Sequence, residues 1–165
     1  MRVSRRRGRI RLQLEPVEAG LLRNMFGELS DALDADAVMS DDPVWQRLHP
    51  AGYRDDDAAA AEFRRLTEAA LDTERVARLA QCMDDLDRCS GEGGLLELDG
   101  DGGERWLKAL NDLRLALGTR LGVTEEDTLE PPRGRTDQAE NDAPGHEVYV
   151  WLTAVQDSLV HAVMR

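Results

Sequence analysis

The two cysteines of this 165-residue chain are its most chemically suggestive side chains, and redox chemistry is what they could do. Cys82 and Cys89 are seven positions apart in a stretch of helical periodicity, so both lie on one face of the predicted helix. An intact helix would separate their Cα atoms by about 10 Å, whereas a disulfide needs roughly 4.4–6.8 Å. A disulfide within one chain therefore requires the helix end to unwind, as Gly91, Gly93 and Gly94 would permit, and this would be a redox switch. The sequence favours the simpler alternative, two small apolar residues that face the core.

A leucine-rich segment over residues 106–122 is the second candidate, because polar side chains are placed among its leucines. The favoured interpretation is an ordered polar network inside the fold, and the alternative is a surface that binds a partner. The candidate partner-binding residues are Trp106, Asn111, Asp112, Arg114 and Arg120. An enzyme would instead need a pocket of converging ionisable groups, for which the candidates are Asn111, Asp112, Arg114 and Tyr149.

Other motifs of catalysis and metal binding do not occur in the sequence. The three histidines are scattered, and there is neither a CxxC nor an HExxH pattern for zinc. Residues 99–103 begin like a calcium-binding loop, but Leu110 occupies the position that should be a bidentate glutamate. No GxSxG nucleophile motif is present, and acidic clusters such as Asp84-Asp85 and Asp87 are interpreted as solvated helix faces. We therefore expect no catalytic residues, no metal, no cofactor and no enzymatic activity.

Charge is distributed unevenly along the chain, whose formal net charge is −12. The first 11 residues hold six arginines and no acid, which leaves 15 basic against 33 acidic residues, or −18, for the rest. Such a body repels phosphate and makes a poor nucleic-acid surface. The basic arm is predicted to be solvated or to contact the protein's own acidic surface. If it binds nucleic acid, the candidates are Arg5, Arg6, Arg7 and Arg9.

Hydrophobic periodicity predicts a mainly α, single-domain bundle of about five helices with a minor two-stranded β element. Residues 9–14 alternate as a strand does, and the apolar run at 95–98 is expected to pair with them. The basic arm is placed at residues 1–8, the helical domain at 9–165, and a flexible acidic loop at about 124–145.

Five stretches carry the helical pattern. They begin after Glu15, at Asp42-Pro43, near Asp55, at a capping box of Asp101 and Glu104, and at about His146. The third stretch runs to about Cys89, with a bend or break possible near residues 71–73, and the fourth should stop at Gly122. No apolar run reaches the roughly 18–20 residues of a membrane span, and the first residues lack a signal core, so we expect a cytoplasmic protein.

Three segments together resemble a known family. They are residues 42–50 (DPVWQRLHP) continuing to 62–68 (EFRRLTE), residues 106–122, and residues 148–152 (VYVWL) with 156–159 (QDSL). This pattern is similar to the actinobacterial oxidative-stress transcriptional regulator family AosR, formerly a domain of unknown function. The resemblance covers nearly the whole chain except the arm and the 124–145 loop.

The resemblance implies a redox-responsive regulator that acts with an extracytoplasmic-function sigma factor, or another RNA polymerase component, on cysteine-biosynthesis genes. The family's redox function is tied to a closely spaced cysteine pair, a part that only Cys82 and Cys89 can play here. Their wider spacing departs from the family and favours a bond between subunits or no redox role. Two alternatives stay open: a direct DNA-binding regulator that uses the arm, and a helical enzyme or factor linked to a Clp protease adaptor. Surplus leucine and tryptophan also favour a homodimer.

Overall fold

The computed structural model describes the backbone of residues 1–34, 42–49, 57–89, 94–123 and 138–164, and their side chains except at 34, 57–69 and 138–143. Within these ranges the chain forms a three-stranded sheet and five helices. In order they are β1 (Arg2–Arg6), β2 (Arg9–Gln13), α1 (Pro16–Asp34), α2 (Pro43–Leu48), α3 (Asp57–Arg88), β3 (Leu95–Leu98), α4 (Gly100–Arg120) and α5 (Gln138–Val163). The predicted mainly α fold with a small β element is confirmed.

The sheet is antiparallel in the order β1-β2-β3. β2 and β3 pair as predicted, with Ile10 opposite Leu98. The arginine-rich arm, however, forms the edge strand β1 and pairs along its length with β2. The turn between them, Arg7-Gly8, has positive φ at both residues (52° and 80°), as the tight hairpin turns require. The sequence signal for β1 is weak because Val3 is its only apolar residue and Arg-Gly is not a usual turn pair.

The register divides the sheet into an apolar and a cationic face, because directly opposed residues share a face. The buried part of the inner face consists of Ile10, Leu12, Leu96 and Leu98, and the edge strand adds Val3 and Arg5 on the same side. The outer face carries Arg2, Arg6, Arg9 and Arg11, of which Arg11 contacts Glu97 on the neighbouring strand. We call this set of four arginines the cationic face.

The helix ends are set by polar caps. The side chain of Asp42 accepts a hydrogen bond from the Val44 amide at 2.7 Å and starts α2. α4 starts two residues earlier than predicted, since Asp99 rather than Asp101 is its cap and accepts a hydrogen bond from the Gly102 amide at 2.8 Å. α4 ends at Gly122 as predicted, in a Schellman turn where the Val123 amide donates to the Gly118 carbonyl at 2.9 Å.

Two predicted interruptions are continuous helix in the structure. α3 runs without a break through residues 71–73. α5 begins at Gln138 and includes Pro144, so the last part of the predicted 124–145 loop is helical, while residues 124–137 lie outside the described ranges. Pro144 lies inside α5, although a proline in a helix interior removes one backbone hydrogen bond and commonly kinks or ends the helix.

α4 is the central element of the fold, because it contacts the other four helices and strands β2 and β3. Its Trp106 is fully buried and meets the ring of Phe26 from α1 edge to face, with centroids 5.8 Å apart. None of the described helices combines the length and apolar character that crossing a membrane requires.

The tight approach of α4 to the sheet gives a test of the packing. A Cβ at Gly103 would overlap Ile10 and lie 3.2 Å from Val163, whereas a Cβ at Gly20 in α1 meets nothing within 4 Å. We expect Gly20→Ala to stabilise the protein by up to about 1 kcal/mol through helix propensity. Gly103→Ala should instead destabilise the protein, because overpacking costs about 1–3 kcal/mol and outweighs the same gain in helix propensity. Urea unfolding of both variants measures this difference, and equal effects would show that α4 does not pack closely on β2.

Candidate functional site

The two thiols lie at the end of α3 against α4. Cys82 is fully buried, Cys89 is 8% exposed at the residue after the helix, and both are free. Burial raises the pKa of Cys82 from 9.0 to about 12, with Arg105 opposing the shift. Burial, and then the charge of Asp85, also raises the pKa of Cys89. Both thiols are therefore protonated and poorly nucleophilic in this conformation.

The backbone of Gly94 lies close to the backbone of Cys89. A side chain at Gly94 would overlap the carbonyl of Cys89, so only glycine fits there. The carbonyl of Gly94 accepts a hydrogen bond from the Leu14 amide at 3.3 Å, which ties Gly94 to the residue that follows β2. Because α3 is intact up to Arg88, an intrachain disulfide requires these contacts to open.

Asp85 lies between the thiols and is 2% exposed. Its Oδ2 accepts from the indole N–H of Trp106 at 2.8 Å and from Arg105 at 2.9 Å, while Arg88 contacts Oδ1. The interpretation of this aspartate as part of a solvated acidic face is therefore wrong. The sequence contained one usable signal, since Asp85 is spaced three and four residues from Cys82 and Cys89 on the same helix face.

A second buried network attaches α2 to α3. His49 is 6% exposed, and its Nε2 lies 2.7 Å from Asp72 Oδ1. Arg75 contacts the same carboxylate at 3.2 Å and donates to the Leu48 carbonyl at 2.6 Å. The ring of Trp45 stacks on His49 with centroids 4.4 Å apart. Local sequence signals do not connect α2 with α3 here, because His49 and Asp72 are 23 positions apart.

The network continues to α4 through Asp112, which is 8% exposed. Arg78 donates to its Oδ2 at 2.9 Å, and Arg75 approaches the same oxygen at 4.0 Å. Burial raises the pKa of Asp112, and the two arginines oppose that shift. The internal polar network favoured from the sequence is thus present at Asp112, although its partners come from α3.

The other candidate partner-binding residues are dispersed. Trp106 is in the core and offers no surface to a partner, while Asn111 accepts a hydrogen bond from Gln156 of α5 at 3.1 Å. Arg114 is half-buried and Arg120 is exposed. Of the proposed enzyme pocket, Asn111 and Asp112 do line one groove, but neither Arg114 nor Tyr149 lines it.

The four arginines predicted as nucleic-acid-binding candidates lie in two different environments. Arg5 donates hydrogen bonds to the carbonyls of Ala162 and Val163 at 3.1 and 3.2 Å. Its positive charge stabilises the C-terminal end of α5 through the helix dipole. Arg6, Arg7 and Arg9 are exposed on the outer side of the hairpin. Among the described residues, no group of three His, Cys, Asp or Glu side chains could hold a metal ion.

The Asp85 contacts predict a large effect on stability. Asp85→Ala would leave Arg105 and the Trp106 indole without their partner, so we expect a loss of about 3–5 kcal/mol in the free energy of unfolding. Asp84→Ala changes an exposed neighbour and should stay within about 0.5 kcal/mol. Urea unfolding followed by tryptophan fluorescence measures both, and similar losses in the two variants would contradict the role assigned to Asp85.

The raised pKa of Cys82 predicts the pH dependence of stability. Above pH 9.0 the unfolded chain ionises this thiol, but the folded chain does not until about pH 12. The stability that the buried, neutral Cys82 thiol contributes is complete below pH 9.0. It is lost as the pH rises, and the free energy of unfolding then falls by about 1.4 kcal/mol per pH unit. Unfolding of Cys82→Ala should therefore show a shallower fall in this window. Parallel curves for the two proteins would mean that Cys82 is not buried in solution.

Comparison with known proteins gives a consistent identification. Residues 1–163 match the family described as a domain of unknown function, DUF2017. The oxidative stress regulators AosR of Mycobacterium bovis and Mycobacterium tuberculosis are 35% identical over 99% of this chain and 86% of their own length. A relative from Mycobacterium leprae is 30% identical over 94% of this chain and 83% of its own. No solved structure matches. This chain therefore belongs to the DUF2017 family and, within it, groups with the AosR oxidative stress regulators.

Proposed function

We propose that this protein regulates the oxidative-stress response by binding a cationic protein of the transcription machinery. By resemblance, that partner is an extracytoplasmic-function sigma factor or another RNA polymerase component, and the genes under control are those of cysteine biosynthesis. The regulatory names of the relatives over 99% of the chain support the role in oxidative stress. The observation that carries the mode of action is the acidic charge of the helical body.

Several helix arginines are already neutralised inside the fold. Arg75, Arg78 and Arg105 all pair with buried or half-buried carboxylates of this chain. Exposed carboxylates such as Asp84, Glu104 and Glu147 are left on the helix surfaces. A phosphate backbone is repelled by such a surface, whereas a basic protein is attracted to it and gains association rate and specificity.

The thiols supply the redox input of this proposal. Peroxide can take two electrons from the two thiols and yield one disulfide and two water molecules. Because Cys82 and Cys89 are buried on an intact helix, this step requires the end of α3 to open. The disulfide then holds the end of α3 in the opened conformation, which changes the surface there. The thiol state thereby determines the affinity for the partner.

A binding titration tests the proposal. We expect a labelled sigma factor to bind the chain, with an affinity that falls as salt rises and differs between reduced and peroxide-treated protein. Cys89→Ala should bind like the reduced chain and lose the response to peroxide. Circular dichroism of the variant checks that the helices remain. Absence of binding in both thiol states would sink the proposal.

A second candidate is direct DNA binding, which the cationic face favours. Its four arginines share the outer side of the sheet, next to the exposed Arg7 in the turn. If this candidate is correct, a promoter fragment binds the purified chain with a steep salt dependence. Arg6→Glu with Arg9→Glu should then abolish DNA binding, while Arg120→Glu on α4 should not. Absence of DNA capture under low-salt conditions in which the chain binds the sigma factor would exclude this candidate.

A further inference from the structure

A groove with a volume of about 380 Å³ lies between α3, α4 and α5, apart from the thiols and the cationic face. Its apolar side is formed by Leu71, Leu107 and Val160, one from each helix. Leu71 is 42% exposed, although large apolar side chains are usually covered. This volume is within the range of small-molecule sites, which combine apolar walls with a few placed polar groups.

The polar side of the groove has one cation in excess. Arg75 is balanced by Asp72, and Arg78 by Asp112, through the ion pairs already described. Lys108, the only lysine of the chain, also lines the groove and is exposed. In the described part of the chain no carboxylate lies within ion-pair distance of it. The groove therefore suits a single negative charge.

Arg78 can contribute to binding the same charge. A guanidinium has five N–H donors, and the bond to Asp112 at 2.9 Å uses one of them. Arg78 on α3 and Lys108 on α4 both line the groove, so each helix supplies a cation to it. A carboxylate fits because charge-assisted hydrogen bonds to Arg and Lys are among the strongest that proteins form.

The groove also contains an unsatisfied acceptor. The Nε2 of Gln156 donates to Asn111, but the Oε1 of the same amide is buried without a hydrogen-bond partner among the described residues. Leaving a buried acceptor unpaired is unfavourable. A small rotation of this amide would present Oε1 to an N–H or O–H group of a molecule in the groove.

We propose that this groove binds a small carboxylic acid with an apolar body and a hydrogen-bond donor beside the carboxylate, that is, an apolar 2-amino or 2-hydroxy acid. The carboxylate lies between Lys108 and Arg78, and the donor meets Gln156. The apolar body rests on the wall formed by the leucines and Val160. This site is independent of the sigma-factor proposal, because it would bind its ligand in the absence of any partner.

Calorimetric titration of the full chain tests the site. The probes are leucine, 2-hydroxy-4-methylpentanoate, the corresponding amine without a carboxylate, and inorganic phosphate. We expect saturable binding of the two acids and none of the amine. If neither acid binds up to about 1 mM, or if phosphate binds as tightly as they do, the proposed ligand class is wrong. These titrations contain no sigma factor. A negative result would therefore overturn the proposed ligand without bearing on the regulatory proposal.

Two matched variants locate the binding. Lys108→Gln removes the unpaired cation and should weaken binding of the acids about tenfold or more, since a charge-assisted hydrogen bond is lost. Its thermal unfolding should stay unchanged because Lys108 is exposed and has no ion pair among the described residues. Arg114→Gln removes a cation on the same helix but outside the groove, and should bind normally. Equal affinities in the two variants would overturn the assignment.

Discussion

The buried carboxylate of Asp85 is the interaction on which the arrangement of the helices depends. It joins α3 to α4 through Arg105 and Trp106, and Trp106 in turn packs on Phe26 of α1. A buried charge is tolerated only while its hydrogen bonds are complete, so the three helices must keep their relative positions. The same negative charge contributes to the raised pKa of both neighbouring thiols. Asp85 therefore contributes both to stability and to the low reactivity of the thiols, although burial is the larger cause of their raised pKa values.

Most of the buried charged groups and both thiols described above lie along one stripe of α3 or at the residue that follows it. Its members are spaced three, four, three and four residues apart, as in the contact seam of paired helices, yet they are Arg75, Arg78, Cys82, Asp85 and Cys89. The adjacent apolar stripe contains Leu79 and Leu86, both buried in the core. A polar seam is less stabilising than an apolar one, but it fixes the register between helices, because a shift would leave buried charges unpaired.

Local signals in the sequence were sufficient for features set by neighbouring residues. The cap at Asp42, the stop at Gly122 and the pairing of the second and third strands are of this kind. The partners of Asp85 on α4 are 20 and 21 positions away, and periodicity does not show which of several helix carboxylates turns inward. The first strand was missed because its arginines carry no apolar alternation and its pairing is decided by the inner face of the next strand. The groove needs three helices, so its lining could be predicted only at Asn111 and Asp112.

The geometry also determines how redox state and partner binding would be coupled. While α3 is helical up to Arg88 the two thiols are protonated and helix geometry puts their Cα atoms about 10 Å apart, so oxidation to a disulfide would require that end to open. Coupling between two binding or modification events is reciprocal. A partner that prefers the open end must make the thiols easier to oxidise, and a partner that prefers the closed end must protect them. The reactivity of Cys89, the more exposed of the two, therefore reports which conformation a partner recognises.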